Sequence, residues 1–572
     1  MPHSPSMKLR ALALSAAVGV FALTACSSGA SSKSSAVPAS APATQAADPS
    51  ATATEVPWSE SDEVVIALQG RSVSAPKTGV DVSGSNVTIT AAGTYRLSGT
   101  LSDGQIVVDS SGDGLVRLVL DGVDIHSSRT AAIAVTDAGE VMIVLADGSQ
   151  NVLSDAATFA PDPTTQEPNA TLFSTADLTI SGGGALTVDG AFNDGIASKD
   201  GLTLAGGTIA VKAPDDGIRG KDYLVVDGGS LTVTAGGDAL KSDNEEDAAK
   251  GYVTVNAGTL NLTSGGDGIS AATSVVVAGG DLKLMAGGGN TRTVAAGTSA
   301  KGVKGTALVQ VDNGTLSIDA ADDAINSDDR VVINGGQIEI ATGDDGVHAD
   351  ASLKVNGGSV MVTASYEGLE SLALTLAGGD VRVVSRDDGI NAAGGVDRSG
   401  AVAPGGARPD TFAAGTPTLT ISGGRIIVDS GGDGLDVNGS GSMSDGTVIV
   451  NGPSGRGNSA VDYDGTFNIS GGMLVAAGSS SMLRAPTATS SQASLLKTFA
   501  TQAAGTVIHI ASTDGRSVLT FAPTKAFQSI VFSSPDMAKT STYQVSLGGT
   551  ATGANTDGLY NAGAYSGGAS VA

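Results

Sequence analysis

Asp194-Gly195, Asp216-Gly217 and Asp238-Ala239 recur at intervals of 22 residues. Asp323-Ala324, Asp345-Gly346 and Glu367-Gly368 do the same, and Asp388-Gly389 follows 21 residues later. After each corner comes an apolar residue such as Ile196, Ile218 or Leu240. Two alternating runs joined by glycines complete the phrase, as in Leu178-Thr179-Ile180, Gly182-Gly183 and Leu186-Thr187-Val188. Alternation with a period of two is the pattern of a half-buried strand. A unit this small cannot bury its apolar face alone, so a fixed period in the low twenties demands stacked coils. The expected fold is an all-β solenoid with coils of about 22 residues. With 81 glycines and 3% aromatic residues, its core must be built from small aliphatic side chains.

The period also divides the chain. Residues 1–26 carry Lys8 and Arg10 ahead of an apolar run, then Leu23-Thr24-Ala25-Cys26. The run is too short for a membrane span and resembles a bacterial lipoprotein signal, with Cys26 as the lipidated mature N-terminus. Cys26 is the single cysteine, so no intrachain disulfide is possible. The expectation is an extracytoplasmic protein whose only membrane contact is a lipid anchor on the outer face of the plasma membrane. Residues 27–57, rich in Ser, Ala, Pro and Thr, read as a disordered tether. Residues 58–171 read as opening coils and N-terminal cap, 172–484 as the regular Asp-Gly repeats, and 485–572 as a small C-terminal β cap. Such a cap protects an open sheet end from edge-to-edge association. A proline-bearing loop at 156–170 and insertions at 243–250, 286–300 and 394–417 interrupt the period. Insertions of this kind often carry binding.

The net charge of −27 excludes nucleic acid, which needs a concentrated basic face, and disfavours an anionic lipid surface. One position of the repeat carries Asp194, Asp216, Asp238, Asp267, Asp323, Asp345, Glu367, Asp388 and Asp433. Asp215, Asp322, Asp344 and Asp387 are its acidic neighbours. In register these form a column about 5 Å per step, where a like-charge pair costs about 0.8 kcal/mol in water and about 3 kcal/mol at a dielectric of 20. Such a column calls for cations. Calcium fits, because it takes six to eight oxygens from carboxylates and turn carbonyls. The candidate metal ligands are Asp194, Asp215, Asp216, Asp222, Asp238, Asp243, Glu245, Asp267, Asp322, Asp323, Asp344, Asp345, Asp387 and Asp388. The acidic insertion 242–247 is the first choice for one site. For a single aspartate, Asp-Gly is also ordinary turn chemistry. A nonapeptide calcium roll is disfavoured by the longer period.

Lys199, Arg219, Lys221, Lys241, Lys301 and Lys304 follow the acidic column. They read either as charge partners of the carboxylates or as groups that recognise sugar carboxylates. His3, His126, His348 and His509 lack metal-ligand spacing, and His348 reads as a surface ladder residue. Tyr223, Tyr252 and Tyr366 offer single sugar contacts. The expected state is a monomer.

Several phrases together resemble the bacterial calcium-binding, pectate-lyase-like proteins whose repeated domain is classed as carbohydrate-binding. They are 93–99 (Gly-Thr-Tyr-Arg-Leu-Ser-Gly), 151–155 (Asn-Val-Leu-Ser-Asp) and 177–184 (Asp-Leu-Thr-Ile-Ser-Gly-Gly-Gly). Others are 215–222 (Asp-Asp-Gly-Ile-Arg-Gly-Lys-Asp), 237–244 (Gly-Asp-Ala-Leu-Lys-Ser-Asp-Asn) and 531–535 (Val-Phe-Ser-Ser-Pro). The resemblance implies a right-handed parallel β-helix, several calcium ions, and binding of cellulose or an acidic plant polysaccharide, with no established catalysis. The chain departs from the phrase at Ala239, Ala324 and Glu367, and at Lys301-Gly302-Val303, which counts against a metal site in that coil.

Two alternatives stand beside non-catalytic polysaccharide binding. A calcium-dependent lyase on uronic-acid polymers needs a cation on the sugar carboxylate and a Lys or Arg base, which Asp238, Asp243 and Lys241 or Asp216, Asp222 and Lys221 could supply. A structural surface protein would use calcium only to stiffen its coils.

Overall fold

From Leu172 onward, the pairing of strands repeats with the period of the sequence. Ile196 pairs with Ile218, and Ile218 with Leu240, each 22 residues on and always parallel. Leu202 pairs in the same way with Leu224, and Ile209 with Leu231. Each repeat holds three strands. Asp194–Ser198, Gly201–Leu204 and Thr208–Ala213 are followed by Ile218–Gly220, Tyr223–Val226 and Ser230–Ala235. A strand therefore pairs with the third strand after it, and three parallel ladders run through successive repeats. The computed structural model describes residues 57–158, 167–295, 297–393, 416–561 and 563–571. Cys26, the leader and the tether up to residue 56 lie outside the described residues, as do most of the loops at 156–170 and 394–417.

All of the described residues belong to one compact unit, Ala46–Ala572. Among them 43 strands form one sheet, and the helical element is a single 3-10 turn, Glu60–Asp62. The protein is all-β. One apolar cluster extends from Ile66 to Val531. Alternation builds it: in Ser230–Ala235 the residues Leu231, Val233 and Ala235 are buried, while Ser230, Thr232 and Thr234 are exposed. Burying an Ile, Leu or Val stabilises by about 1.5–3 kcal/mol. The inward Ile218, Leu224, Val226, Leu231 and Val233 thus hold a repeat that has no large ring in its core.

Glycine serves two different purposes here. Gly229 has φ +86°, and a Cβ there would lie 2.6 Å from the Gly207 carbonyl oxygen. The Gly-Gly turn therefore excludes side chains by both conformation and space. The glycine after each aspartate does something else. Asp194-Gly195 opens the strand Asp194–Ser198, so the Asp-Gly pair is not a turn with a left-handed glycine. Space makes the demand at Gly217, where a Cβ would meet Val233 Cγ1 at 2.3 Å. Ala239 and Ala324 hold the same register position, fully buried.

Insertions stretch the step without breaking the ladders. Tyr223 pairs with Tyr252 and Ile269 with Val303. Upstream, Leu172 pairs with both Ile133 and Ile196, so the sheet is continuous across residues 171 and 172. The C-terminal segment joins the main sheet. Phe527–Ser533 pairs antiparallel with Met473–Gly478 and with Ser494–Gln502. Ile508, Ile510, Leu519 and Phe521 then pack on Ile427, Ile449 and Val475, which face away from the main core. Arg382 and Arg425 on this flank both bind Asp557.

Candidate functional site

The acidic corners come together in register. The amides of Gly195, Gly217 and Ala239 donate to the carbonyls of Asp216, Asp238 and Asp267. Those of Gly268 and Gly302 donate to Lys301 and Asp323, and those of Ala324, Gly346, Gly368 and Gly389 to Asp345, Glu367, Asp388 and Asp433. The column is the one expected from the sequence, with a lysine in one place. Lys301 stands between Asp267 and Asp323.

The carboxylates also hydrogen-bond along the column. Oδ1 of Asp216 accepts the Asp238 amide at 2.9 Å, Asp238 accepts that of Asp267 at 2.8 Å, and Asp267 that of Lys301 at 2.7 Å. The pattern resumes with Asp323 to Asp345 at 3.0 Å, Asp345 to Glu367 at 3.2 Å and Asp388 to Asp433 at 2.5 Å. One oxygen of each of these carboxylates is thus structural, which leaves the other for a counter-ion.

The counter-ions change along the chain. Arg219 bridges Asp194 and Asp243, each at 3.1 Å. Lys241 bridges Asp216 at 3.0 Å and Asp238 at 3.1 Å. The Lys301 ammonium lies 2.7 Å from Asp323 Oδ2 and 3.4 Å from Asp322 Oδ1, in a group that is almost fully buried. His348 comes next, with Nδ1 2.9 Å from Glu370 and 3.6 Å from Asp345. It is 3% exposed, which corrects its reading as a surface residue.

Past His348 the pattern changes. Glu367 accepts a hydrogen bond from the neutral amide of Asn391 at 2.7 Å, and burial raises its pKa well above the usual range. Burial also pushes Asp388 up to about 8, and the charges of Asp436, Asp387 and Asp433 add to the shift. Asp433 is pushed up to about 6, again chiefly by burial. Carboxyl oxygens of Asp388, Asp433 and Asp436 lie within 4.8 Å of one another. This half-buried, all-oxygen set fits calcium, whose bonds of about 2.3–2.6 Å allow such separations. Asp322, Asp323 and Asp344 are equally close, but Lys301 supplies their cation internally.

The other expected residues scatter. In the insertion, Asp243 binds Arg219, Glu245 is exposed, and Asn244 binds Asp222 while accepting the amides of Glu246 and Asp247. The first-choice site at 242–247 therefore does not gather its carboxylates. Asp222 also pairs with Lys250, and Asp215 is exposed. Lys199 pairs with Glu167 at 2.6 Å, and Lys221 is half-buried. Tyr223 and Tyr252 stack on each other at 5.7 Å. Asp436, Glu370 and His348 were missed as site residues. All three stand three residues beyond a column position, and pairing aligns His348 with Glu370 and Asn391 with Asp436.

Residues 83–346 match the family model described as carbohydrate-binding domain-containing protein. A carbohydrate-binding domain-containing protein of Acetivibrio thermocellus is 46% identical over 136 residues, 24% of this chain and 48% of that one. The chain thus spans about half the length of the curated relative it matches. A solved polysaccharide lyase-like protein from C. thermocellum is 40% identical, with a TM-score of 0.39, covering 40% of this chain and 92% of that one. Over residues 83–346, the chain is similar to carbohydrate-binding domain-containing proteins.

Proposed function

We propose that this chain binds polysaccharide through calcium held on its carboxylate column, as a monomer and without cleaving the polymer. The observation that carries the reading is the group Asp388, Asp433 and Asp436, whose carboxyl oxygens converge within 4.8 Å. The charged neighbours that weigh most on Asp388 are other carboxylates. Bound calcium would neutralise this group and offer remaining coordination sites to a sugar carboxylate or hydroxyl. Asp387 and Asp462 stand close enough to act on Asp433 and would add to the acidic surface around it. The same reading takes the fold as a right-handed parallel β-helix of 22-residue coils, lipid-anchored through Cys26 outside the plasma membrane. The polymer is an acidic plant polysaccharide such as polygalacturonate, or cellulose.

The lyase alternative is weaker at the residue first suggested as its base. Burial disfavours a charged Lys241, but Asp238 and Asp216 hold its pKa above the usual lysine value. A lysine kept protonated between two carboxylates cannot readily take a proton from C5 of a sugar. The test is retention of the purified protein on insoluble polygalacturonate, with calcium and then with chelator, while soluble uronate is assayed. Calcium-dependent retention without soluble product is expected. Retention on neither polygalacturonate nor cellulose would leave only the structural role, and released product would establish the lyase.

A further inference from the structure

We infer that His348, Asp345 and Glu370 form a site for a divalent transition metal of the zinc class, separate from the all-oxygen calcium group. His348 Nδ1, Asp345 Oδ2 and Glu370 Oε2 converge, with all ligand atoms within 4.8 Å of one another. Nδ1 lies 2.9 Å from Glu370 Oε2 and 3.6 Å from Asp345 Oδ2. With metal–ligand bonds of about 2.1 Å, two ligand atoms on one ion sit about 3.0–3.5 Å apart, close to both separations from Nδ1.

The orientation of the ring is fixed from its other side. His348 Nε2 lies 3.0 Å from Asp350 Oδ1. A proton on Nε2 donated to Asp350 turns the Nδ1 lone pair toward Asp345 and Glu370. This carboxylate–imidazole relay is the outer-shell arrangement that sets the tautomer of metal-binding histidines. The backbone supplies the rest of the framework. His348 and Glu370 are paired neighbours on adjacent strands, and Asp345 is held by the hydrogen bond that its Oδ1 accepts from the Glu367 backbone amide. Asp345 and His348 are buried, whereas Glu370 and Asp350 are partly exposed.

An imidazole in the set favours zinc or cobalt over calcium, which takes oxygen ligands. Three protein ligands leave a position for water or a polymer hydroxyl. Without metal, a proton on Nδ1 can bridge the same carboxylates, so metal and proton compete for one place.

The test uses the purified chain titrated with cobalt, and with zinc against a chromophoric chelator, in excess calcium. One equivalent of cobalt should give visible d–d absorption that zinc abolishes and calcium does not. His348→Gln should remove that absorption. Asp350→Asn should weaken zinc binding by about 10–100-fold with the same stoichiometry, and provides a readout if His348→Gln folds poorly. Absence of cobalt absorption, its displacement by calcium, or undiminished zinc binding in both variants would overturn the inference. None of these results depends on whether the protein retains polysaccharide.

Discussion

Lys301 places its ammonium 2.7 Å from Asp323 Oδ2, while its backbone holds the column position directly before that residue. One acidic rung has thus become the counter-ion of the next. Asp323 is fully buried and Asp322 nearly so, and Lys301 brings a positive charge to both.

Replacing Lys301 with Ala should destabilise the protein by about 3–5 kcal/mol, because buried carboxylates lose their partner. It should also open the Asp322, Asp323 and Asp344 oxygens to an external ion. Denaturant unfolding in chelator and in calcium checks both expectations. Calcium should recover more stability in the variant than it adds to the parent.

The buried carboxyls with raised pKa values predict an unusual pH dependence. Asp388 at about 8, Asp194 at about 7 and Asp433 at about 6 all lie above the 3.8 of an ordinary aspartate. The folded state then binds more protons than the unfolded chain, so stability falls as pH rises between these values. Each group contributes up to about 1.4 kcal/mol per pH unit across its own window. Melting in chelator should therefore show a decline from about pH 4 to about pH 8. Calcium should flatten it at the upper end.

The C-terminal sheet is held to the main sheet by Asp557, which accepts from Arg382 at 2.7 Å and from Arg425 at 2.5 Å. Asp557→Asn keeps a residue tolerant of its left-handed backbone, φ 54°, and removes the charge. The expected loss is about 1.5–3 kcal/mol. Hydrogen exchange should rise in Ile508–Ser512 and Ser517–Phe521 before it rises in the main sheet.

Much of this site was legible in the sequence, because a constant period fixes which residues stack. The corners from Asp194 to Asp433 could be aligned by counting. Lys301 could be placed by its phrase, Lys301-Gly302-Val303, but its contact with Asp323 could not be read across the insertion at 286–300. Nor could the position three residues further on, which carries Arg219, Lys241, Ser270, Lys304, Asn326, His348, Glu370, Asn391 and Asp436 in turn. No single residue type marks it, so its drift from basic to acidic emerges only from the register. The insertion at 242–247 misled for the opposite reason. Its density of charge in sequence is dispersed in space by Arg219, Lys250 and a local turn.

The most direct test compares the parent with a variant carrying Asp388→Asn, Asp433→Asn and Asp436→Asn. In chelator the variant should be as stable as the parent or more so, since repelling carboxyls are gone. In calcium it should gain no stability from this site and should lose retention on polygalacturonate. Unchanged calcium-dependent retention by a folded variant would contradict the account and place the polymer elsewhere on the protein.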